Sequence, residues 1–312
     1  MTLLSLPIAD RLRSARHVLI AGAGGGFDVY AGLPLALALR AEGVQVSLAS
    51  FSISELGMLK PDAWLRTGLA AIRPDSPGND RYFPERALAR WLHTKGHDPV
   101  VYAFERTGVR PLRAAYRKLV EVLGVDAIVL AEGGTDILMR GDEAGIGTPE
   151  EDMTSLTAVA GLDVPLKLVV SLGFGIDSHH GVCHAHVLEN LAALQRAGGY
   201  HGACTVSPDG YLEAVAHAAR EHPKHASIVH GQVAAALRGQ FGNAPVTVRT
   251  RGTELFVNPL MALYFVVGLD ALAGELRYRD LIEHSRTPLE VGLAIEAYRE
   301  RTEVRPRRAI PH

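Results

Sequence analysis

Short aliphatic runs alternate along this chain with longer stretches of helical periodicity, and glycine-rich turns separate the two. Residues 17–21 (His-Val-Leu-Ile-Ala) and 44–48 (Val-Gln-Val-Ser-Leu) read as strands. Between them Leu33, Leu35, Leu37 and Leu39 fall on a helix apolar almost all round, which predicts a buried helix and a βαβ unit. Further strands are expected near 69–73, 100–104, 127–131, 166–172, 202–206 and 246–250, with helices at 84–95, 111–123, 185–196, 211–221 and 227–240. The alternation predicts an α/β fold: a three-layer, mainly parallel, Rossmann-like sheet with helices on both faces. The apolar run 255–273 is interrupted by Asn258, Pro259, Gly268 and Asp270, which favours a buried helix over a membrane span.

No low-complexity linker divides the chain, so residues 1–312 are expected to form a single α/β domain. One internal echo qualifies this. Residues 19–43 and 168–199 each run strand, glycine turn ending in Asp, then leucine-rich helix, so two related halves (about 1–160 and 161–290) are an alternative. From Arg301 onward a loose tail is expected.

The candidate chemistry sits in three turns. The first is Gly22-Ala23-Gly24-Gly25-Gly26-Phe27-Asp28, the second Glu132-Gly133-Gly134-Thr135-Asp136, the third Gly173-Phe174-Gly175-Ile176-Asp177. The first tempts a dinucleotide-binding reading, but Phe27 takes the third glycine position and Asp28 would face a pyrophosphate. Strand two also ends Leu48-Ala49-Ser50 with no acid for a ribose, so NAD(P) or flavin is disfavoured. A single Asp after glycines is an ordinary helix cap. Three at the carboxyl ends of separate parallel strands point to one crevice, where ligands bind in open α/β sheets. There Asp28, Asp136 and Asp177 are catalytic candidates as general bases, as binders of sugar hydroxyls, or as ligands of magnesium. Backbone of Gly24, Gly25, Gly26, Gly133 and Gly134, with Thr135, would line the substrate.

After the second turn, Arg140, Asp142 and Glu143 lie in a glycine-spaced segment able to fold over a site. Arg140 would either clamp an anion or pair with a neighbouring acid. Thr148, Pro149 and Glu151 read as a capping box, so Glu150 and Glu151 are assigned no chemistry. The cluster His179, His180, His184, His186 follows Asp177. A helix starting at residue 180 would put His180 and His184 on one face, a spacing that can hold zinc, though acid–base work by His180 or His184 fits as well. Glu189 and Asn190 are a polar break in the following helix and candidate binding residues, with solvent exposure as the alternative. Residues 249–254 offer positive charge after a strand, and Asn258-Pro259 reads as a helix start.

Composition narrows the partners. Hydrophobic residues make up 47% and charged residues 21%, enough for a packed core. With 34 acidic and 32 basic side chains the net charge is −2, which disfavours nucleic-acid polymers and membrane surfaces. Two cysteines, Cys183 and Cys204, exclude a disulfide scaffold, and the start lacks a secretory pattern, so a cytoplasmic address is expected. Oligomeric state is open, a homo-oligomer included.

The first turn, Gly133–Asp136 with Arg140-Gly141-Asp142-Glu143, Glu189-Asn190, and Asn258-Pro259-Leu260-Met261-Ala262-Leu263-Tyr264 together resemble the bacterial and archaeal family catalogued as domain of unknown function 1152. The likeness runs over nearly the whole length, with Phe27 and the dense histidines as departures. It implies no mechanism. The residues themselves suggest a hydrolase or transferase acting on an anionic small molecule (nucleotide, nucleoside or sugar phosphate), with N-glycosidic chemistry favoured. Carboxylates stabilise the positive charge such a reaction develops, and His180 could protonate the leaving base. The paired-aspartate opening of nucleoside hydrolases is absent. The alternatives are an NAD(P)- or flavin-dependent oxidoreductase and a non-catalytic ligand sensor.

Overall fold

The computed structural model describes residues 7–244, 247, 250, 252 and 254–310. Eleven strands run β1 (His17–Gly25), β2 (Gln45–Ser52), β3 (Trp64–Arg66), β4 (Leu69–Ile72), β5 (Val101–Glu105), β6 (Ala127–Glu132), β7 (Leu166–Leu172), β8 (Tyr200–Thr205), β9 (Gly242–Asn243), β10 (Phe256–Val257) and β11 (Leu263–Gly268). The helices are α1 (Pro7–Arg13), α2 (Leu33–Ala41), α3 (Pro84–Thr94), α4 (Val109–Leu123), α5 (Pro149–Ala160), α6 (His184–Arg196), α7 (Tyr211–Glu221), α8 (Ile228–Leu237), α9 (Leu269–Glu275), α10 (Arg279–Ile282) and α11 (Pro288–Arg299).

Nine strands form one sheet in the order β3-β4-β5-β2-β1-β6-β7-β11-β8, and β9 pairs with β10 apart from it. The sheet is mixed, which corrects the expected mainly parallel arrangement. Its centre, β5-β2-β1-β6-β7, is parallel. Both flanks are antiparallel: β3 and β4 on one side, β11 and β8 on the other. The run 255–273, expected to be helical, supplies β10, β11 and α9 instead. Its segment Leu-Tyr-Phe-Val-Val suits a pleated sheet and fills the slot between β7 and β8. The strand expected at 246–250 falls largely outside the described residues.

Side-chain alternation along β1 divides the core in two. Leu19, Ala21 and Ala23 join one apolar cluster with α4 and α5, while Val18 and Ile20 join another with α2 and α3. Chain direction follows the same division. From β1 the chain winds outward through β2 to β5, whereas β6 and β7 lie on the opposite side of β1, so the winding reverses between β1 and β6. At such a reversal the loops leaving two neighbouring strands part and open a crevice at their carboxyl ends.

Helix α5 packs against the end of β1 at the base of that crevice. It is buried for almost its whole length, with Met153, Leu156, Ala158 and Val159 in the core. The Ser155 hydroxyl donates to the Ala23 carbonyl at 2.6 Å, tying the helix to the end of β1. Each fully buried apolar side chain of this size contributes roughly 1.5–3 kcal/mol. That packing offsets the cost of the charged groups that α5 carries inward.

Candidate active site

Five carboxylates converge where β1, β6 and β7 end. Asp28 follows β1 in a short 3₁₀ turn; Glu132 is the last residue of β6; Asp136 opens the turn after it; Asp152 comes from the first turn of α5; Asp177 follows β7. Glu132, Asp136, Asp152 and Asp177 are buried, and Asp28 is partly buried. The glycines allow this crowding. A Cβ on Gly24 would collide with Asp28 Oδ2, and would lie 2.6 Å from Asp152 Oδ1 and 3.3 Å from Glu132 Oε2. One on Gly134 would lie 2.6 Å from Asp177 Oδ2. Any larger residue at either position would push the acids apart.

The second turn links the other two. Asp177 Oδ2 accepts hydrogen bonds from the Thr135 N–H and, at 3.3 Å, its hydroxyl. Asp136 Oδ2 accepts from the Thr148 N–H at 3.0 Å and its hydroxyl at 3.2 Å. Thr148 therefore serves Asp136 and makes no side-chain bond to its own helix start, so the expected capping box does not form. Asp28 likewise does not cap the turn it begins. The backbone N–H groups of Gly133 and Gly24 lie beside its carboxylate and favour its charged form.

Burial raises all five carboxyls, and repulsion from neighbouring acids adds to it in Asp28, Glu132, Asp152 and Asp177. Loss of water, then the charge of Asp136, pushes Asp28 up to about 8, against the backbone N–H groups of Gly133 and Gly24. Burial and then Asp152 hold Glu132 well above the usual range; burial and then Asp136 do the same for Asp152 and Asp177. Burial also raises Asp136, though its bonds from Thr148 and the charge of His180 work the other way. Among the described residues, no Lys or Arg forms an ion pair with any of the five. Glu132 Oε2 and Asp152 Oδ1 are buried with no N–H or hydroxyl donor among the described residues, each facing only the other's carboxyl group.

Other sequence candidates go elsewhere. His179 and His180 are exposed at the mouth, their rings 5.9 Å apart. His180 ends a 3₁₀ turn, and Gly181 at φ 92° separates it from α6, so His180 and His184 do not share a helical face and the expected zinc pair is not built. His184 packs edge-on against Phe174 at 5.1 Å, and burial lowers its basicity. Arg140 does not clamp an open site. Its side chain is directed at Glu143 (3.9 Å) and Glu275 (3.4 Å). Glu143, fully buried, is bonded by the Arg140 and Gly141 N–H groups, Asn190 and Arg305. Asp142 pairs with Arg305 and Arg277, and Glu189 with Arg305 and Arg308. The polar atoms of Asp142, Glu143 and Asn190 are thus committed to one another and to the segment after α11. That segment, expected to be loose, is anchored through these bonds and through Cys183 Sγ to the Arg308 carbonyl. Of the basic stretch 249–254, Arg249, Arg251 and Thr253 lie outside the described residues.

Three residues were passed over in the sequence. Glu132 reads as a strand end and Asp152 as one more acid in a helix's first turn, a place where acids are ordinary. His230, alone in an alanine-rich helix, gives no signal. It is buried, its Nε2 2.9 Å from the Phe27 carbonyl and its Nδ1 2.8 Å from the Tyr211 hydroxyl, and burial lowers it to about 4. It flanks Gly133 opposite Asp28 and forms one wall of a cavity of about 210 Å³ shared with Phe27, Tyr30, Ser227 and Arg238. Over the first turn lie Ile53, facing Gly25, and Tyr82, facing Gly26.

Residues 64–309 match the family model described as "Protein of unknown function (DUF1152)". The chain belongs to this family. The DUF1152 match takes in Glu132, Asp136, Asp152 and Asp177 and begins downstream of Asp28. No curated protein matches the chain. Among solved structures it is similar to SsfS6, a glycosyltransferase of Streptomyces sp. SF2575, at 16% identity and a TM-score of 0.24, over 59% of this chain and 46% of that one. The chain thus spans less than half the length of that structure, and a likeness so slight carries no mechanism. Among the described residues of this DUF1152 protein, no helix is long and apolar enough to cross a membrane.

Proposed function

We propose that this protein is a hydrolase or transferase that works at an N-glycosidic bond of a nucleoside, nucleotide or sugar phosphate, on a Rossmann-like parallel centre. The observation that supports this reading is the convergence of five acids with no paired Lys or Arg among the described residues. Such a site disfavours a pyrophosphate brought in alone and favours a reaction whose transition state gains positive charge. Cleavage at a sugar's anomeric carbon does so, and preorganised carboxylates stabilise that charge most strongly where water is excluded.

In this reading Asp136 and Asp177, each steadied by a threonine, face the sugar. His180, at the mouth and within electrostatic reach of Asp136, delivers the proton to the departing base. The aromatic cavity beside Phe27 and His230 has the lining to take a planar ring, with Arg238 at its edge. The test is base release from a panel of nucleosides, nucleotides and base-bearing sugar phosphates, followed chromatographically. Turnover with at least one of them, lowered in Asp136→Asn and Asp177→Asn, is expected. Absence of release from all of them, with thermal stabilisation by NAD(P) or a flavin, would sink the idea in favour of a redox enzyme.

A further inference from the structure

We infer that Asp28, Glu132 and Asp152 form a binding site for one divalent cation of the magnesium, manganese and calcium class. Each residue offers one carboxylate oxygen, and the three oxygens lie within 4.8 Å of one another. Oxygens bound to one ion at about 2.1–2.4 Å stand roughly 3–4.8 Å apart, so the spacing suits a shared ion.

A cluster of acids alone would not say this, because surfaces hold many. Here two of the three oxygens are orphans. As carboxylates, Glu132 Oε2 and Asp152 Oδ1 receive no hydrogen bond from any N–H or hydroxyl among the described residues, although their residues are only 5% and 2% exposed; each has only the other's carboxyl group to turn to. Buried polar atoms in folded proteins are nearly always partnered. The neighbouring acids follow that rule: Asp136 is bonded by Thr148 and Asp177 by Thr135. Other buried polar atoms of the protein also lack a partner, Thr157 Oγ1 and Gln232 Oε1 among them, but of the five crevice acids only Glu132 and Asp152 carry such an atom. Both of these oxygens, with Asp28 Oδ2, are the very atoms that close on the bare face of Gly24. Three carboxylates have no paired Arg or Lys among the described residues, and a divalent ion supplies the missing charge. An all-oxygen donor set selects hard cations over zinc, and neither His184 nor Cys183 belongs to the group. Asp28, the partly buried member, gives the ion a way in from solvent.

The inference stands apart from the proposed reaction and is tested without substrate. The full chain, stripped with EDTA, is titrated with Mn²⁺ and free Mn²⁺ is followed by electron paramagnetic resonance. One saturable site per chain, displaced by Mg²⁺, is expected. Glu132→Gln and Asp152→Asn should each weaken it at least tenfold, and Gly24→Ala, which pushes a methyl group between the oxygens, should do the same. Glu189→Gln, outside the crevice, should bind as the parent does. Circular dichroism and melting curves establish that each variant is folded; removing repelling charges favours folding in the two carboxamide variants, and Gly24→Ala leaves all three acids in place. No saturable binding up to about 1 mM, the weak limit for protein sites, or an affinity unchanged in both carboxamide variants, would overturn the assignment. Mn²⁺ binding without base release would leave this site standing and remove only the proposed reaction. Base release without Mn²⁺ binding would do the reverse.

Discussion

Two groups of buried acids stand close together in this molecule, and they are built in opposite ways. Around Asp142 and Glu143 every charge is answered: Arg305, Arg277 and Arg140 approach, Asn190 donates, and backbone N–H groups complete the set. Burial works against ionisation of Asp142, yet Arg305, with Arg277 and Arg140 behind it, holds its carboxyl below the usual range. Around Asp28, Glu132 and Asp152 no Arg or Lys is paired among the described residues, and all three carboxyls are raised. The first group joins segments of the chain. The second is left incomplete by the protein itself, as expected where a ligand is to supply the remainder. Buried charge alone does not mark a functional site; on the proposed reading, unanswered buried charge does.

The sharpest way to break this contrast is to neutralise each crevice acid in turn. Asp136→Asn and Asp177→Asn should lower turnover by about 10²–10⁴-fold with the fold intact, the range for a group acting in the transition state. An equal loss from Asp142→Asn, read in the same assay, would erase the distinction.

Next in size is the answered group. Arg305→Ala strips the main cation from Glu143, which is fully buried. Breaking such a pair costs about 3–5 kcal/mol, and the low end applies because Asn190 and two backbone N–H groups remain. Urea unfolding should show about 3 kcal/mol; a loss under about 1 kcal/mol would class these bonds with ordinary surface pairs.

His230 gives a test by pH. Burial holds it neutral down to about 4, against 6.5 for an exposed imidazole. Its contribution is fully present above pH 6.5, and is lost as pH falls toward 4, because the unfolded chain takes up the proton first. The loss is on the order of 3 kcal/mol. Urea midpoints at pH 7 and pH 4.5 should therefore fall further apart in the parent than in His230→Gln, and equal differences would exclude the role.

The smallest effect has the opposite sign. In EDTA at pH 8, Asp152→Asn should raise stability by about 1–2 kcal/mol, since it removes a buried, repelling charge. The change in melting temperature reads it directly, and a fall would mean that Asp152 already has an answering group.

The parallel centre of the fold is legible in the sequence because β1, β6 and β7 are apolar runs of strand length that end in glycine turns. The antiparallel flanks are not. Whether β4 and β11 run with or against their neighbours depends on pairing with β5 and β7, tens of residues away, and no local pattern carries that direction. The site divides in the same manner. Asp28, Asp136 and Asp177 stand out because glycines precede them, whereas Glu132 and Asp152 resemble a strand end and a helix start until α5 is laid across β1. Arg140, whose pairing with a neighbouring acid is one of its two readings, Glu189 and Asn190 are ambiguous for a related reason: a conspicuous polar residue looks alike in sequence whether its partner is a ligand or another side chain such as Glu275 or Arg305.

The floor and the rim of the crevice have different freedom to change. Helix α5 must fill the core, hold the Ala23 carbonyl through Ser155 and present Asp152, so almost any replacement there damages several tasks at once. Ile53, by contrast, is 47% exposed and meets the first turn only with its side chain. Replacements at Ile53 can therefore reshape the surface over the first turn while the acids beneath stay put.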